Sequence, residues 1–440
     1  METAVQNTTK QYENYKPSGV EWLGDIPEHW EVSRLGVLLN PISINNRTDL
    51  SLLSITREKG VILRDLEDEG TNHNFIPDDL SNYKVLLKGQ FGMNKMKAWQ
   101  GSYGISDYDG IVSPAYFIFD LDKKITPEYF HLSIRSKLYV SFFGSASDGV
   151  RIGQWDLSKE RMKQIPFLIP SLKEQTAIAE FLDDKTTKID QAIAIKQQQI
   201  DLLKERHQIL IHKAVTKGIN PNVKLKDSGV EWIGEIPEGW EVKRLKFNLK
   251  KSFSGGTPST DKLIYWDGGI PWVSSVDVKV DYLNKTVREI SLMGLQNSSS
   301  NLAPKGALIF VTRSGILQHT FAISILNREM AINQDIKCII FNDKIQSEYF
   351  LNLIKGNNSE ILVEVRQQAA TVESINMSSF YNLLMPVPPI EEQKEISAYI
   401  ENITDKIATA IAIKKQEIEK LKEYKSSLID GVVTGKVRVF

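Results

Sequence analysis

The sequence predicts an α/β protein: two globular α/β bodies separated by two long antiparallel helices that form a coiled-coil-like spacer, in an internal pseudo-two-fold repeat. Three observations carry this. SGVEWLGDIPEHWEVSRL, Ser18 to Leu35, returns as SGVEWIGEIPEGWEVKRL, Ser228 to Leu245, with fourteen of eighteen positions identical. Pro170 to Thr216 returns as Pro388 to Thr434 with 21 of 47 positions identical. Between these blocks lie two bodies, about residues 36–165 and 246–383, whose likeness is faint apart from Glu128-Tyr129-Phe130 against Glu348-Tyr349-Phe350. Alike frames around unlike bodies suggest two readers held in one common frame.

The helices follow from their boundaries. Ser171-Leu172-Lys173-Glu174 reads as a capping box, in which the Ser hydroxyl and the Glu carboxylate both serve first-turn N–H donors. Neither Pro nor Gly interrupts the chain from there to Gly218 and Pro221, so residues 171–216 are expected to form one helix. Residues 390–430 mirror it, between Pro386, Pro388 and Pro389 on one side and Gly431 on the other. Each helix carries an apolar seam at alternating steps of four and three: Ile189, Ile193, Lys196, Ile200, Leu203, His207, Leu210 and Ala214 in the first, and Ile407, Ile411, Lys414, Ile418, Leu421, Lys425, Leu428 and Val432 in the second. That is the coiled-coil period, and two matching seams in one chain favour mutual pairing over packing on separate bodies. Lys196 and Lys414 hold equivalent seam positions, where antiparallel pairing threatens to bring two lysines together.

Within the bodies, apolar runs such as Tyr116–Phe119 and Ile336–Phe341 read as strands. Segments from Pro127 and Ser347 read as helices, with Thr126 and Gln346 or Ser347 near their caps. The connections are polar and Gly-rich, and binding side chains concentrate in such loops.

Composition narrows the function. The chain is 41% hydrophobic and 25% charged, with 54 basic against 55 acidic residues, so nucleic-acid binding has to come from local patches or from partners. A single cysteine, Cys338, excludes a disulfide framework and a Cys-based zinc cluster, and fits a reducing cytoplasm. The first residues hold no apolar run of the signal-peptide kind, and no apolar stretch is long enough for a membrane span.

Catalytic motifs are missing. Gly431 to Lys436 is one residue short of a phosphate loop, His-Glu-x-x-His does not occur, and His207 and His212 stand five apart, off a common helix face. Ser113-Pro114-Ala115-Tyr116 is similar to the amino-methyltransferase motif but lacks its second proline. Phe253-Ser254-Gly255-Gly256 reads as a turn opening a binding loop. No catalytic residue and no metal ligand is therefore assigned.

What remains are polar segments beside aromatics. In the first body these supply Arg57, Lys95, Lys97, Trp99, Gln100, Ser102, Arg151 and Gln154. The second body supplies Thr257, Ser259, Ser274, Ser275, Arg313, Ser314, Gln318, Asn333 and Gln334. Lys and Arg neutralise phosphates, while Arg, Asn, Gln, Ser and Thr pair with base edges, so these are the candidate DNA-binding residues.

The whole arrangement resembles the specificity subunits of type I restriction–modification systems. The features that carry the resemblance are Trp232–Trp240 and its twin, the Met385-Pro386-Val387-Pro388-Pro389-Ile390-Glu391-Glu392-Gln393 entry to the distal helix, and the two long repeated helices. Gly110–Tyr116, Ser254–Ser259 and Ile332–Lys337 add to it.

The resemblance implies an N-terminal tail at 1–16, target-recognition domains at 17–165 and 227–385, a central repeat helix and linker at 166–226 and a distal repeat helix at 386–440. It further implies that each domain reads one half of a bipartite, asymmetric site in double-stranded DNA, and that the helices set the spacing and dock two methyltransferase subunits. Motor-nuclease subunits join for restriction. S-adenosylmethionine, ATP and Mg²⁺ then belong to the partner subunits and no cofactor to this chain, which is non-catalytic and cytoplasmic. The residues themselves leave open a tandem protein-binding scaffold, a specificity subunit of a related restriction system, or an enzyme of unknown type; the third is disfavoured by the missing acid/base pairs.

Overall fold

A computed structural model describes residues 11–65, 76–151, 154–367 and 372–439. It divides into two compact units, Met1–Gln197 with Lys415–Phe440, and Gln198–Lys414. The division cuts through both long helices, Leu172–Lys217 and Ile390–Val433. Each unit thus holds one body, the first part of the helix that follows that body, and the last part of the other helix.

In the first unit the repeated edge pairs Tyr15–Pro17 with Asp25–Pro27. The strand Glu31–Arg34, which enters the body, then pairs antiparallel with Pro166–Ile169, which leaves it. The body between them contains two four-stranded sheets. One runs in the order Gly60–Leu63, Ser51–Thr56, Gly110–Val112, Lys84–Leu86, with Ser51–Thr56 and Gly110–Val112 parallel. The other runs Leu39–Ile42, Tyr116–Leu121, Phe91–Asn94, Tyr103–Ile105, all antiparallel. Helices Pro127–Ile134 and Lys137–Ser145 cover an aromatic core of Phe91, Tyr103, Phe130, Phe143 and Phe167. A hairpin, Ser147–Arg151 with Gln154–Leu157, follows.

The second unit repeats this wiring. Its edge pairs Leu225–Asp227 with Glu235–Pro237, and Glu241–Arg244 pairs with Leu384–Val387. One sheet runs Arg288–Ile290, Trp266–Val273, Met330–Ile332, Asn301–Ala303; the other runs Leu249–Ser254, Ile336–Phe341, Leu308–Val311, Ile323–Leu326 and gains Tyr282–Leu283 as a fifth strand. Helices Ser347–Gly356 and Asn358–Val365 and the hairpin Arg366–Gln367 with Ser374–Ile375 stand in the corresponding places. The two bodies share a fold although their sequences scarcely match.

The start of each long helix joins edge, body and helix. Ser171 Oγ accepts the Glu174 N–H at 3.4 Å, as a cap does. The Glu174 carboxylate, however, does not turn back on the helix as the capping-box reading expects. It is 1% exposed and binds Tyr12 Oη at 2.6 Å, His29 Nε2 at 2.9 Å and Trp30 Nε1 at 3.1 Å. A buried carboxylate needs strong donors, and the indole, phenol and imidazole outbid a solvated helix end.

Tyr12 lies inside the segment expected to be a tail, and that segment also holds Tyr15 and Lys16 of the first edge strand, Tyr15–Pro17. In the second unit Trp240 Nε1 donates to Glu392 at 2.9 Å. Next to each Glu is a fully buried Gln. Gln175 accepts the Thr126 N–H and donates to the Lys124 and Pro170 carbonyls; Gln393 does the same with Gln346, Lys344 and Pro388. Each carboxamide satisfies the backbone where the body's first helix begins, so neither Thr126 nor Gln346 caps that helix with its own side chain.

The far helix ends pack on the edges. Gly218 and Gly435 both adopt positive φ, +74° and +73°. A Cβ on Gly218 would meet Trp240 and Pro237, and one on Gly435 would overlap Pro27 and meet Trp30.

Every residue of the two seams is buried or half-buried, whereas Ile195 and Ile413, between seam positions, are 56% and 50% exposed. The segments run antiparallel in each unit. In the first, Lys196 Nζ meets Glu417 at 2.7 Å and Lys425 Nζ meets Asp190 at 2.7 Å; in the second, His207 Nε2 meets Thr404 Oγ1 at 2.8 Å. Lys196 therefore faces a carboxylate in the seam rather than a second lysine.

Gln175→Ala leaves one backbone N–H and two carbonyls without their partner in a buried place, and should cost about 1–3 kcal/mol in urea unfolding. His131 Nδ1 accepts the Ile105 N–H at 3.1 Å, which requires a neutral ring. Burial, helped by the Arg135 guanidinium and opposed by Asp107, lowers its pKa from 6.5 to about 4. The unfolded chain takes up this proton first as pH falls, so the stabilisation is complete above pH 6.5 and is lost towards pH 4. Between pH 7 and pH 5 denaturant titrations should show a loss of ~2 kcal/mol that His131→Gln removes.

Candidate nucleic-acid interface

In the first body the candidate residues gather around the loop that leaves Phe91–Asn94. Asn94 Oδ1 accepts the Met96 N–H and tightens the turn, and a short 3₁₀ segment, Ala98–Gln100, follows. Trp99 stacks on Trp155 of the hairpin, with centroids 5.3 Å apart and planes at 24°. Lys95 Nζ lies 3.3 Å from Asp156 on the same strand. Lys97 is exposed and Gln100 half-buried. Arg57 is exposed on the turn between Ser51–Thr56 and Gly60–Leu63, near Glu58. Arg151 and Gln154 are partners at the outer end of the hairpin; Ile152 and Gly153 of the same predicted segment lie outside the described residues.

Arg135 ties the first two groups together. Its guanidinium donates to the carbonyls of Gly101 and Tyr103 from one nitrogen and to those of Arg57 and Glu58 from the other, at 2.6–3.3 Å. Sequence reasoning passes over this residue because an arginine just beyond the helix Pro127–Ile134 has no local pattern to mark it.

The second body builds its surface from the same loop. After Leu308–Val311, Thr312 N–H and Oγ1 both donate to the Asp335 carbonyl, at 2.8 and 2.9 Å. Arg313 follows, exposed, and bridges to Ser374 of the hairpin. The Ser314 N–H donates to the Glu373 carbonyl, and Arg366 donates to the Gln318 carbonyl at 3.1 Å. Gln318 itself is exposed. In both bodies, then, the loop after the corresponding strand is bound to the corresponding hairpin.

Beside it lies the Gly255-Gly256 turn. The Gly255 and Gly256 N–H groups donate to the Asn333 and Ile332 carbonyls, and a Cβ on Gly255 would overlap the Ile332 carbonyl oxygen. Only glycine permits this approach, which brings Thr257 Oγ1 to within 2.6 Å of Gln334 Oε1. Thr257, Ser259 and Gln334 are all exposed. Trp266 Nε1 holds the Ser259 carbonyl and Trp272 Nε1 the Gly256 carbonyl, each at 3.1 Å. Ser275 is half-buried beyond the end of Trp266–Val273.

Four candidates are spent on the fold instead. Ser102 is 2% exposed inside its turn. Asn333 is 6% exposed, and its carboxamide accepts the Asp335 N–H. Ser274 Oγ donates to Asp277 at 2.8 Å, and Ser314 Oγ accepts the Ile316 N–H to start a 3₁₀ turn. Short hydroxyl and amide side chains in tight turns satisfy nearby backbone first. Among the described residues no group of three or more His, Cys, Asp or Glu is placed to hold a metal ion, and no helix is long and apolar enough to cross a membrane.

The family model for the type I restriction modification DNA specificity domain matches residues 27–205 and again 237–423. The chain is 26% identical over 288 residues to the EcoR124I/EcoR124II type I restriction enzyme specificity subunit of Escherichia coli, an alignment covering 62% of this chain and 65% of that one. It is 24% identical over 457 residues to the putative MjaX specificity subunit of Methanocaldococcus jannaschii, covering 97% of each. A solved chain from a type I R-M system superposes with a TM-score of 0.69 at 16% identity, covering 93% of this chain and 98% of that one. At that identity the match is one of fold.

Lys95, Lys97 and Arg313 are the cations whose loops converge on the two hairpins. If these cations touch phosphate, each contact removed by alanine should flatten the dependence of DNA affinity on salt by about one unit of log–log slope. Equilibrium binding of the triple variant across a salt series measures this; an unchanged affinity and slope removes these residues from the surface.

Proposed function

The chain belongs to the family of type I restriction–modification DNA specificity domains, and from that premise we propose that it recognises a bipartite, asymmetric site in double-stranded DNA, the first body reading one half and the second body the other. The observation that carries this is the repeated frame. Both bodies have the same wiring and both return their ends to one strand pair, yet the loops beside the hairpins carry different side chains, Lys95, Lys97 and Trp99 in one and Thr257, Arg313 and Gln334 in the other. One scaffold presenting two different polar surfaces suits two different half-sites.

In this reading the chain supplies recognition and no chemistry. Two methyltransferase subunits dock on the helical spacer and bring S-adenosylmethionine; motor-nuclease subunits bring ATP and Mg²⁺; the assembly works in the cytoplasm. The near-neutral charge of the chain, −1, is consistent with partners supplying much of the phosphate contact.

Replacing residues 36–165 with the first body of another family member tests it. Sequencing of methylated sites in a host that expresses the exchanged chain with its methyltransferase should show one half-site changed and the other kept. Sites altered in both halves would mean that the bodies do not read independently. A complex without any site-dependent affinity would favour a protein-binding scaffold.

A further inference from the structure

We infer that Gln334 is an adenine-reading side chain of the second body, held in register by Thr257 and Asp335. The inference rests on the proposed DNA-recognition role and names the base that one residue selects.

Gln334 is exposed on the connection between Met330–Ile332 and Ile336–Phe341. A carboxamide has two acceptor lone pairs on oxygen and two N–H donors on nitrogen. Here Thr257 Oγ1 donates to Oε1 at 2.6 Å, and Nε2 donates to Asp335 Oδ2 at 3.3 Å. One lone pair and one N–H remain for a partner. The orientation is fixed by the carboxylate: a flipped amide would turn its oxygen towards Asp335, which accepts and cannot donate. Rotation is further restricted because both holding groups are themselves anchored. Gly255 sets Thr257 against this connection, and the Asp335 carbonyl is gripped twice by Thr312.

An acceptor and a donor side by side match one base in the major groove. Adenine offers the N6 amine and the N7 lone pair; guanine offers two acceptors, cytosine a donor and thymine an acceptor with a methyl group. A glutamine held this way forms two hydrogen bonds with adenine and leaves one polar atom unpaired against any other base. Arg313 follows Thr312 on the adjoining loop and is exposed, a cation available for the neighbouring phosphate. The first body has no counterpart. At the corresponding connection stand Ser113, Pro114 and Ala115, where the Ser113 hydroxyl accepts the Ala115 N–H at 3.4 Å and no carboxamide is present. The selection therefore belongs to the second half-site alone.

The test is sequencing of methylated sites in a host lacking other methyltransferases, with the full chain and its methyltransferase expressed together. Gln334→Ala should reduce discrimination at one adenine of the second half-site by about ten- to a hundredfold while leaving the first half-site unchanged. Thr257→Val keeps the glutamine but frees its amide, and should relax the same position to a smaller degree. Three results would overturn the inference: unchanged stringency in both variants, relaxation at a base pair other than A·T, or relaxation in the first half-site. Each leaves the two-body reading standing. A wild-type complex that methylates no bipartite sequence would overturn both.

Discussion

An acid bound to the edge at the head of each long helix organises the molecule. Glu174 lies almost out of contact with water, and a carboxylate there is tolerated only because three donors converge on it from the edge. Gln175, one residue on, reaches the other way, into the body. Two consecutive side chains thus bind the helix to both of its neighbours, and Glu392, held by Trp240, and Gln393, reaching into the second body, keep the same division in the second unit. Tyr129 and Tyr349 reinforce it, each donating its hydroxyl to a carbonyl of the strand that leaves its body, Leu168 and Pro386. The near-identity of the edges, and the Glu-Gln pair kept at both helix starts, are the trace of this requirement: a polar network half satisfied is worse than none.

The same geometry explains why the bodies diverge. The entering and leaving strands of each body lie side by side, Glu31–Arg34 with Pro166–Ile169 and Glu241–Arg244 with Leu384–Val387. Whatever lies between has only to return to its starting point and cover the frame with an aromatic core. Phe91, Phe130 and Phe167 do this in one unit and Phe310, Phe350 and Phe380 in the other. Loops at a distance from that closure are released from the frame's constraints.

The sequence made the long-range plan legible because it repeats. The helices expected at 171–216 and 390–430 run from Leu172 to Lys217 and from Ile390 to Val433, and the seam positions turn inward as their spacing requires. Tertiary partners were not legible. Ser171 and Glu174 have the spacing of a local cap, and nothing nearby in sequence shows that the carboxylate is claimed by Tyr12, His29 and Trp30. The same holds for Ser102, Ser274, Ser314 and Asn333, whose residue types suit DNA and tight turns equally; only the fold reveals which use they serve. Arg135 was invisible for the opposite reason: its carbonyl partners have no residue-type signature at all.

The seam also shows that the two halves have ceased to be equivalent. Lys196 meets Glu417 and Asp190 meets Lys425, but the positions equivalent to Glu417 and Lys425 in the first long helix are Gln199 and His207. A second copy of that helix would present an amide and an imidazole where the chain's own second helix presents a carboxylate and an ammonium. Each exposed ion pair contributes only a few tenths of a kcal/mol to about 1 kcal/mol. Their weight lies in orientation and choice of partner, added to the high effective concentration of a segment already tethered in the same chain. The duplication thereby favours pairing of unlike helices: the second long helix answers the charges of the first, and a further copy of the first helix does not.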